Sequence, residues 1–530
     1  MRYDDVFAII NRKLRADRVN LPNLEDFQMR GIPSLITDIR KKVFTEVARM
    51  AYNGDDYTKA EDLPYIIVPG DQPLHRESIF LERAIAGERV RLAMGLSVRS
   101  VQTRSLMTEG MDHAAIAKQY YEPPLINIIP YACHACPANR YWVTDVCQNC
   151  LSASCQQVCP REAIKFVNGK SRIDPAKCIR CGKCAQACAY HAIVHLERPC
   201  QAACGMDAIG SDENGRATIN QEKCVSCGQC LVSCPFGAIV DKGQIYQVVR
   251  SIMEGDKVIA IMAPAFARQF GKDVTAAKLS SALRALGFAD VVEVAIGADI
   301  CAVEEAKDFL EKVPAKQPFM ATSCCPAWHA MVHKLFPAQA KNISMTLTPM
   351  VYTARMVKRE QPDAKIVFVG PCAAKKLEAI REDIRSDVDF VLTFEELQGM
   401  FEAKEVDFES LEEDPKLKNA GTAAGRGFAV AGGVAQAVVD IIHAQHPDME
   451  IKVANAEGLK DCRKLMTMAK TGKYNGFLLE GMACPGGCVA GAGTLLPIDQ
   501  AVKGVETAKK LATRKNPLES EFSGIAEELV

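Results

Sequence analysis

Three textures of apolar and polar residues follow one another along the 530-residue chain. Up to residue 128, stretches such as SLITDIRKKVFTEVARMAYNG and ESIFLERAIAGERVRLAMGLSV carry apolar residues three and four apart among mixed charges, which predicts amphipathic helices. Pro33, Pro64 and Pro73 separate them. This region, 1–128, holds no cysteine and reads as a helical packing or docking segment. Over 129–245 the apolar runs are short, so a large hydrophobic core is not available there. From 246 to 530, β-rich runs (KVIAIMAPA, DVVEVA, KIVFVGPC, FVLTF, NGFLLEGMAC) alternate with helical stretches, and several end in Gly, Pro or Cys loops. That is an α/β pattern, in which ligands sit beyond the carboxyl ends of strands. Residues beyond about 500 read as a short polar tail.

Composition narrows the class. The length exceeds one ordinary core and predicts several domains. Hydrophobic residues at 48% and charged residues at 24% are ordinary for a globular protein, and a net charge of −1 gives no bias toward nucleic acid or an acidic membrane. The first residues, MRYDDVFAIINRKLRADR, contain acids and lack the apolar stretch of a signal peptide. No run of 18 apolar residues is present. A reducing, anaerobic cytoplasm is the expected setting.

Cysteine changes the picture. Of 23 cysteines, sixteen lie between Cys133 and Cys234. A disulfide framework is the plain reading of many cysteines, but tight Cys-x-x-Cys repeats in a long chain favour metal. Cys178, Cys181, Cys184 and Cys188 follow C-x2-C-x2-C-x3-C, as do Cys224, Cys227, Cys230 and Cys234. Cys147, Cys150, Cys155 and Cys159 form a looser third string. These are ferredoxin motifs, in which three thiolates of one loop grip a 4Fe-4S cube and the fourth reaches a neighbouring cube. Zinc, the rival, does not use repeated x2-x2-x3 runs. Cys133, Cys136, Cys200 and Cys204 remain, and HAIVHLERPCQAACGMDAI reads as a ferredoxin motif lacking its leading triplet. Sixteen cysteines then make four cubes. The expected sets are Cys147, Cys150, Cys155 with Cys188; Cys178, Cys181, Cys184 with Cys159; Cys224, Cys227, Cys230 with Cys204; and Cys133, Cys136, Cys200 with Cys234. A different partition, or three cubes, stays open. Such a domain draws much of its folding free energy from its clusters, and a row of clusters moves single electrons.

TSCCPAW (322–328), GPCAAKK (370–376) and EGMACPGGCVAGAG (480–493) resemble, in order and separation, the three signature motifs of FeFe hydrogenases. The resemblance covers about 129–500. It implies a two-lobed α/β catalytic domain with parallel sheets flanked by helices, an α+β ferredoxin-like iron–sulfur domain, and the helical N-terminal segment. It implies an H-cluster whose cube is held by Cys325, Cys372, Cys484 and Cys488. Cys488 also bridges to a diiron site carrying CO, cyanide and a dithiolate, where one iron keeps an open coordination position. By the same resemblance Lys375 hydrogen-bonds a cyanide, and Ala263, Pro264, Phe428 and Met482 wall the diiron pocket. Cys324 is the proton-donating thiol, followed by Glu305, Ser344 and Asp308. Lys312 stands where Arg is usual, and 305, 308 and 312 share one helix face. The implied activity is ferredoxin-linked, reversible conversion of two protons and two electrons to H2. The implied partners are ferredoxin or a similar one-electron carrier and dedicated maturation proteins, without nucleic acid or membrane.

The sequence departs from the best-known members at Gly370, where Met is usual, at Met350, where Gln is common, and at Ala327, where Gly is usual. Gly-Pro-Cys points to the subgroup called group B. No accessory cluster with one His and three Cys ligands and no plant-type ferredoxin module is visible. Cys301 and Cys462 match no ligand and read as small buried hydrophobes. Three other readings remain: a fifth electron-transfer cube without diiron, an H2 sensor, and a non-catalytic iron–sulfur carrier or assembly factor. Retention of Cys324 argues against a sensor.

Overall fold

The computed structural model describes residues 32–114, 122–417 and 421–529. The extreme N-terminal stretch read for a signal peptide lies outside the described residues. Helix α1 (Leu35–Tyr52) begins where Ser34 and Thr37 form a reciprocal capping box. Its buried positions Val43, Phe44, Val47, Ala48 and Ala51 recur at helical spacing. They form no separate core but join Val258, Val367, Leu392 and Leu397 of the α/β region. The close approach is at Gly399, where a Cβ would lie 2.5 Å from that of Phe44. The predicted second helix is α2 (Ile79–Ala93), capped by Ser78.

The cysteine-rich region is a series of short antiparallel pairs. Strand β1 (Ile126–Ile128) pairs with β8 (Ile239–Asp241), and β2 (Arg140–Val143) with β5 (Ile193–Leu196). Strands β3 (Ile164–Val167) and β4 (Lys170–Ile173) form one hairpin, β6 (Ile209–Ser211) and β7 (Ala217–Ile219) another.

Two all-parallel sheets make the α/β region. One has the order β10 (Asp290–Glu293), β9 (Val258–Met262), β12 (Lys365–Gly370), β13 (Phe390–Thr393). The other is β11 (Met320–Ala321), β15 (Phe477–Met482), β14 (Lys452–Glu457). All five β-rich runs singled out from the sequence contain strands. Helix α3 (Ala295–Lys312) packs on α4 (Pro349–Glu360) and α5 (Gly433–Gln445). The residues beyond 500 are not a loose polar tail. Ile498–Leu511 is helical, and Ala526 and Leu529 are buried beside Ile300 and Phe309 of α3. Arg355 donates to the Leu529 carbonyl at 2.9 Å, which gives that segment an anchor its composition does not announce.

Candidate metal centre

Three strands of the two sheets end in the three cysteine loops. β11 runs into Cys324 and Cys325, β12 into Cys372, and β15 into Cys484 and Cys488. The loops, with Ala263 and Pro264 after β9, surround one largely apolar cavity with roughly 840 Å³ of empty space, its mouth included. Its wall contains all four predicted cube ligands together with Cys324, Lys375, Ala263, Pro264, Phe428 and Met482. Burial pushes the Cys372 thiol up to about 12, with Cys484 and Cys325 adding to the effect. Cys488 is likewise raised by burial, then by Cys372, Cys325 and Cys484. Thiols that raise one another are gathered thiols, and metal must displace their protons to bind. None of the 23 cysteines is in a disulfide. Among the described residues, no trio of His, Cys, Asp or Glu gathers about a single point as one ion requires. A cube carries a separate iron for each thiolate and spaces its ligands wider, so this donor set fits an iron–sulfur group.

Of the departures from the family pattern, Gly370 is matched by its packing. A Cβ at Gly370 would lie 2.6 Å from the ring of Phe368 and 3.0 Å from the Cβ of Ala263. Phe368 therefore fills the space a larger residue at 370 would take, and it lines the cavity beside Met350 and Ala327. Sequence reading missed it because in β12 it looks like any core strand residue.

Lys375 donates to Glu378 at 2.6 Å and to Thr348 at 3.2 Å, leaving one of its three N–H donors for the cavity it lines. Although burial opposes its charge, Glu378 holds its pKa above the usual lysine value. Glu378 and Thr348, themselves 2.6 Å apart, were not foreseen.

Glu305 is fully buried on α3, and burial raises its carboxyl to about 7 despite hydrogen bonds from Ser323. Burial, then the charge of Glu305, holds the Cys324 thiol well above its usual pKa. One Glu305 oxygen accepts from the Ser323 N–H (3.0 Å), with the Ser323 hydroxyl 3.3 Å away; the other is buried without a partner. Ser344 is not brought to Glu305: its hydroxyl accepts from the Thr346 N–H at 3.2 Å, while Ser323 donates to the Thr346 carbonyl at 2.8 Å. The side chain on Glu305 is thus Ser323, the residue before Cys324, whose neighbour in space no local pattern reveals. Asp308 lies one turn outward, half-buried, and pairs with Lys312 at 2.7 Å. Glu480 of β15 is also raised to about 7 by burial while accepting N–H groups of Gly432 and Ala435 at the start of α5. Cys301 and Cys462 are fully buried in apolar cores.

The sixteen cysteines of the middle region fall into a fourfold repeat of backbone conformation. The opening Cys-x-x-Cys turn of each repeat has a left-handed third residue: Ala135 (φ 46°), Asn149 (49°), Arg180 (58°) and Ser226 (52°). Each later turn, starting at Cys159, Cys188, Cys204 or Cys234, again has a left-handed residue three positions on: Glu162 (48°), His191 (50°), Asp207 (50°) and Gly237 (57°). Non-glycine residues hold this conformation only where the surroundings dictate it. In three of the repeats a backbone N–H bonds the closing sulfur: Ala163 on Cys159 (3.3 Å), Ala192 on Cys188 (3.4 Å) and Ala208 on Cys204 (3.3 Å). Cys155, Cys159, Cys184 and Cys188 share one small core, and Cys178 and the exposed Cys181 act on Cys184. Cys133, Cys136, Cys200 and Cys234 line a common small cavity. Burial pushes Cys200 up to about 12, the nearby Cys234 next, against the opposing Arg198. Cys204 raises Cys224, Cys227 and Cys230 in turn, behind burial. This last group adjoins the main cavity: Cys227 lines it, and Gln229 donates to the Cys484 sulfur at 3.2 Å.

Residues 256–492 match the family described as iron only hydrogenase large subunit, C-terminal domain; 217–240 match a 4Fe-4S binding domain and 140–189 a 4Fe-4S dicluster domain. Iron hydrogenase 1 of Clostridium pasteurianum is 30% identical over 387 residues, 63% of this chain and 67% of that protein. A probable cytosolic Fe-S cluster assembly factor of Drosophila mojavensis is 25% identical over 51% of this chain and 68% of its own length. A solved [FeFe]-hydrogenase from Chlamydomonas reinhardtii superposes with a TM-score of 0.42 at 23% identity, covering 50% of this chain and 88% of that one.

Proposed function

Because the chain belongs to the iron-only hydrogenase family, we propose that it is a ferredoxin-linked hydrogenase of the Gly-Pro-Cys subgroup, converting protons and electrons reversibly to H2. The observation that carries the proposal is one cavity lined by Cys325, Cys372, Cys484 and Cys488, with Cys324, which the resemblance leaves outside the ligand set, in the same wall. When bound there, the H-cluster supplies an iron with an open coordination position at which the H–H bond is made or broken.

The chain's own residues hold the cube, exclude water and move protons. Ala263, Pro264, Phe368, Phe428 and Met482 keep the cavity apolar, which strengthens the field of the one ammonium, Lys375, on any anionic ligand inside. Cys324 stays protonated beside it and is the proximal donor. Glu305, raised to about 7, both takes and gives a proton near neutrality and resupplies that thiol. Ser323 fixes one carboxyl oxygen of Glu305, and the Asp308–Lys312 pair marks the outer end of the path. Four 4Fe-4S clusters in the repeat wire the cavity to the surface, in the sets expected from the sequence. Ferredoxin, cytoplasmic placement and dedicated maturation proteins complete the reading; no helix among the described residues is long and apolar enough to cross a membrane.

The test uses purified, cluster-reconstituted protein supplied with a diiron precursor. Infrared bands of iron-bound CO and cyanide, with H2 evolution from reduced methyl viologen, are expected. Absence of both would sink the proposal in favour of an iron–sulfur carrier or assembly factor, a reading kept alive by the similarity to the Drosophila protein. Normal bands with only trace turnover would favour an H2 sensor.

A further inference from the structure

Among the described residues, the loops carrying Cys133, Cys136, Cys200 and Cys234 are held by three guanidiniums that pair with no carboxylate. Arg198, buried, donates through two nitrogens to the Cys136 carbonyl (3.0 and 3.2 Å) and to the carbonyls of Gly210 and Gly215 (2.8 Å each). Arg89 of α2, also buried, donates to the carbonyl of Gly237, the left-handed residue of the Cys234 turn. Its other two nitrogen positions are buried with no partner at all. Arg76 donates to the Phe236 carbonyl at 3.1 Å and contacts the His134 ring, next to Cys133. Glu82, the nearby carboxylate, is committed to the N–H groups of Leu74, His75 and Arg76. Nothing similar surrounds the other cysteine sets; Lys334, on the carbonyls of Glu222 and Cys224, is exposed.

We propose that the cluster held by Cys133, Cys136, Cys200 and Cys234 is the first of the accessory clusters to accept an electron, because Arg76, Arg89 and Arg198 present it with uncompensated positive charge. The inference rests on the iron–sulfur reading above. Reduction adds one negative charge to a cluster, and a buried, unpaired cation favours that charge far more than an exposed, screened one. Burial, with Arg40 and Arg76, lowers the Arg89 pKa to about 10, which still leaves it charged at neutral pH. The set adjoins the Cys204 group, since Cys200 acts on Cys230, and that group adjoins the main cavity. An electron parked there waits one cluster away from the group facing the cavity, as a two-electron reaction fed by one-electron carriers requires.

Stepwise reduction of the full-length, cluster-loaded protein, followed by electron paramagnetic resonance, tests this. Cys200→Ser identifies the signal by altering its shape. In the native protein that signal is expected to rise first. Arg89→Gln and Arg198→Gln should shift its midpoint negative and leave the other signals in place, while Arg89→Lys, which keeps the charge, should not. A different cluster filling first, or an unmoved midpoint in both glutamine variants, overturns the proposal. Should either glutamine variant load fewer clusters, Arg76→Gln on the less buried member is read instead: a smaller negative shift supports the proposal and none overturns it. These signals need no diiron site, so loss of CO and cyanide bands would sink the enzyme reading and leave this one standing.

Discussion

The core around the outer cysteine turns consists of Cys155, Ile164, Cys184 and Ile193, half of it thiols. In the α/β region, by contrast, every residue of β9 is buried and the sheet is covered by helices, including one from the N-terminal segment. The first region encloses too little apolar surface to offset chain entropy and must borrow free energy from bound metal. The second folds on hydrophobic burial and then offers its strand ends to a cofactor. One part of the molecule is made by its clusters; the other is made for one.

Removing iron by chelation probes that contrast with the largest expected effect. Amide exchange should become fast across 140–196, while β9, β12 and β15 stay protected; equal loss in both regions would erase the distinction. Next, Cys372→Ala should abolish H2 evolution and remove one cube's iron, leaving the iron of the middle region in place. Glu305→Gln should lower turnover about 10²- to 10⁴-fold with cluster content unchanged. As a proton-carrying group titrating near 7, Glu305 should also impose an inflection near that pH on the rate, and its loss should remove it.

Two further variants test the joint between the regions. Lys376 is fully buried and pairs with Asp241 of β8 at 2.7 Å and with Glu396 at 3.1 Å, beside the pairs of Arg40 with Asp241 and Glu395. Lys376→Met strands buried carboxylates and should destabilise by about 3–5 kcal/mol in chemical denaturation. Arg463→Ala, which breaks an exposed pair with Asp207 across the same two regions, should cost less than about 1 kcal/mol. If the two costs were alike, the joint would be a surface contact and not a buried one.

Cysteine spacing carried the metal sites because cluster geometry acts locally: the opening Cys-x-x-Cys turn of each repeat is one backbone shape. The strands of the sheets were legible as apolar runs, with the exception of β14, an exposed edge strand of sequence KVANAE, and the two-residue β11. What lay hidden depends on chain separation. Ser323 meets Glu305 across 18 positions and Arg198 meets Cys136 across 62, and nothing near either residue marks the partner. Phe368 was invisible for a different reason: a ring in a buried strand looks the same whether it abuts another side chain or a cofactor cavity. The final segment misled because its anchor is a backbone carbonyl, which sequence composition does not display.

Arg40 and Glu395 are separated by 355 positions. At ribosomal speeds of about 5–20 residues per second, α1 would leave the exit tunnel roughly 20–70 s before its partner helix exists. During that interval its apolar face can rest on α2 and on Ile245 and Val248, but not on the helix that later covers most of it. The iron–sulfur segment is complete much sooner and can be loaded while still open on the side that α1 and α2 later cover. Docking of α1 on Glu395 then seals the buried charges only after the whole iron–sulfur segment, which ends well before residue 395, has been made.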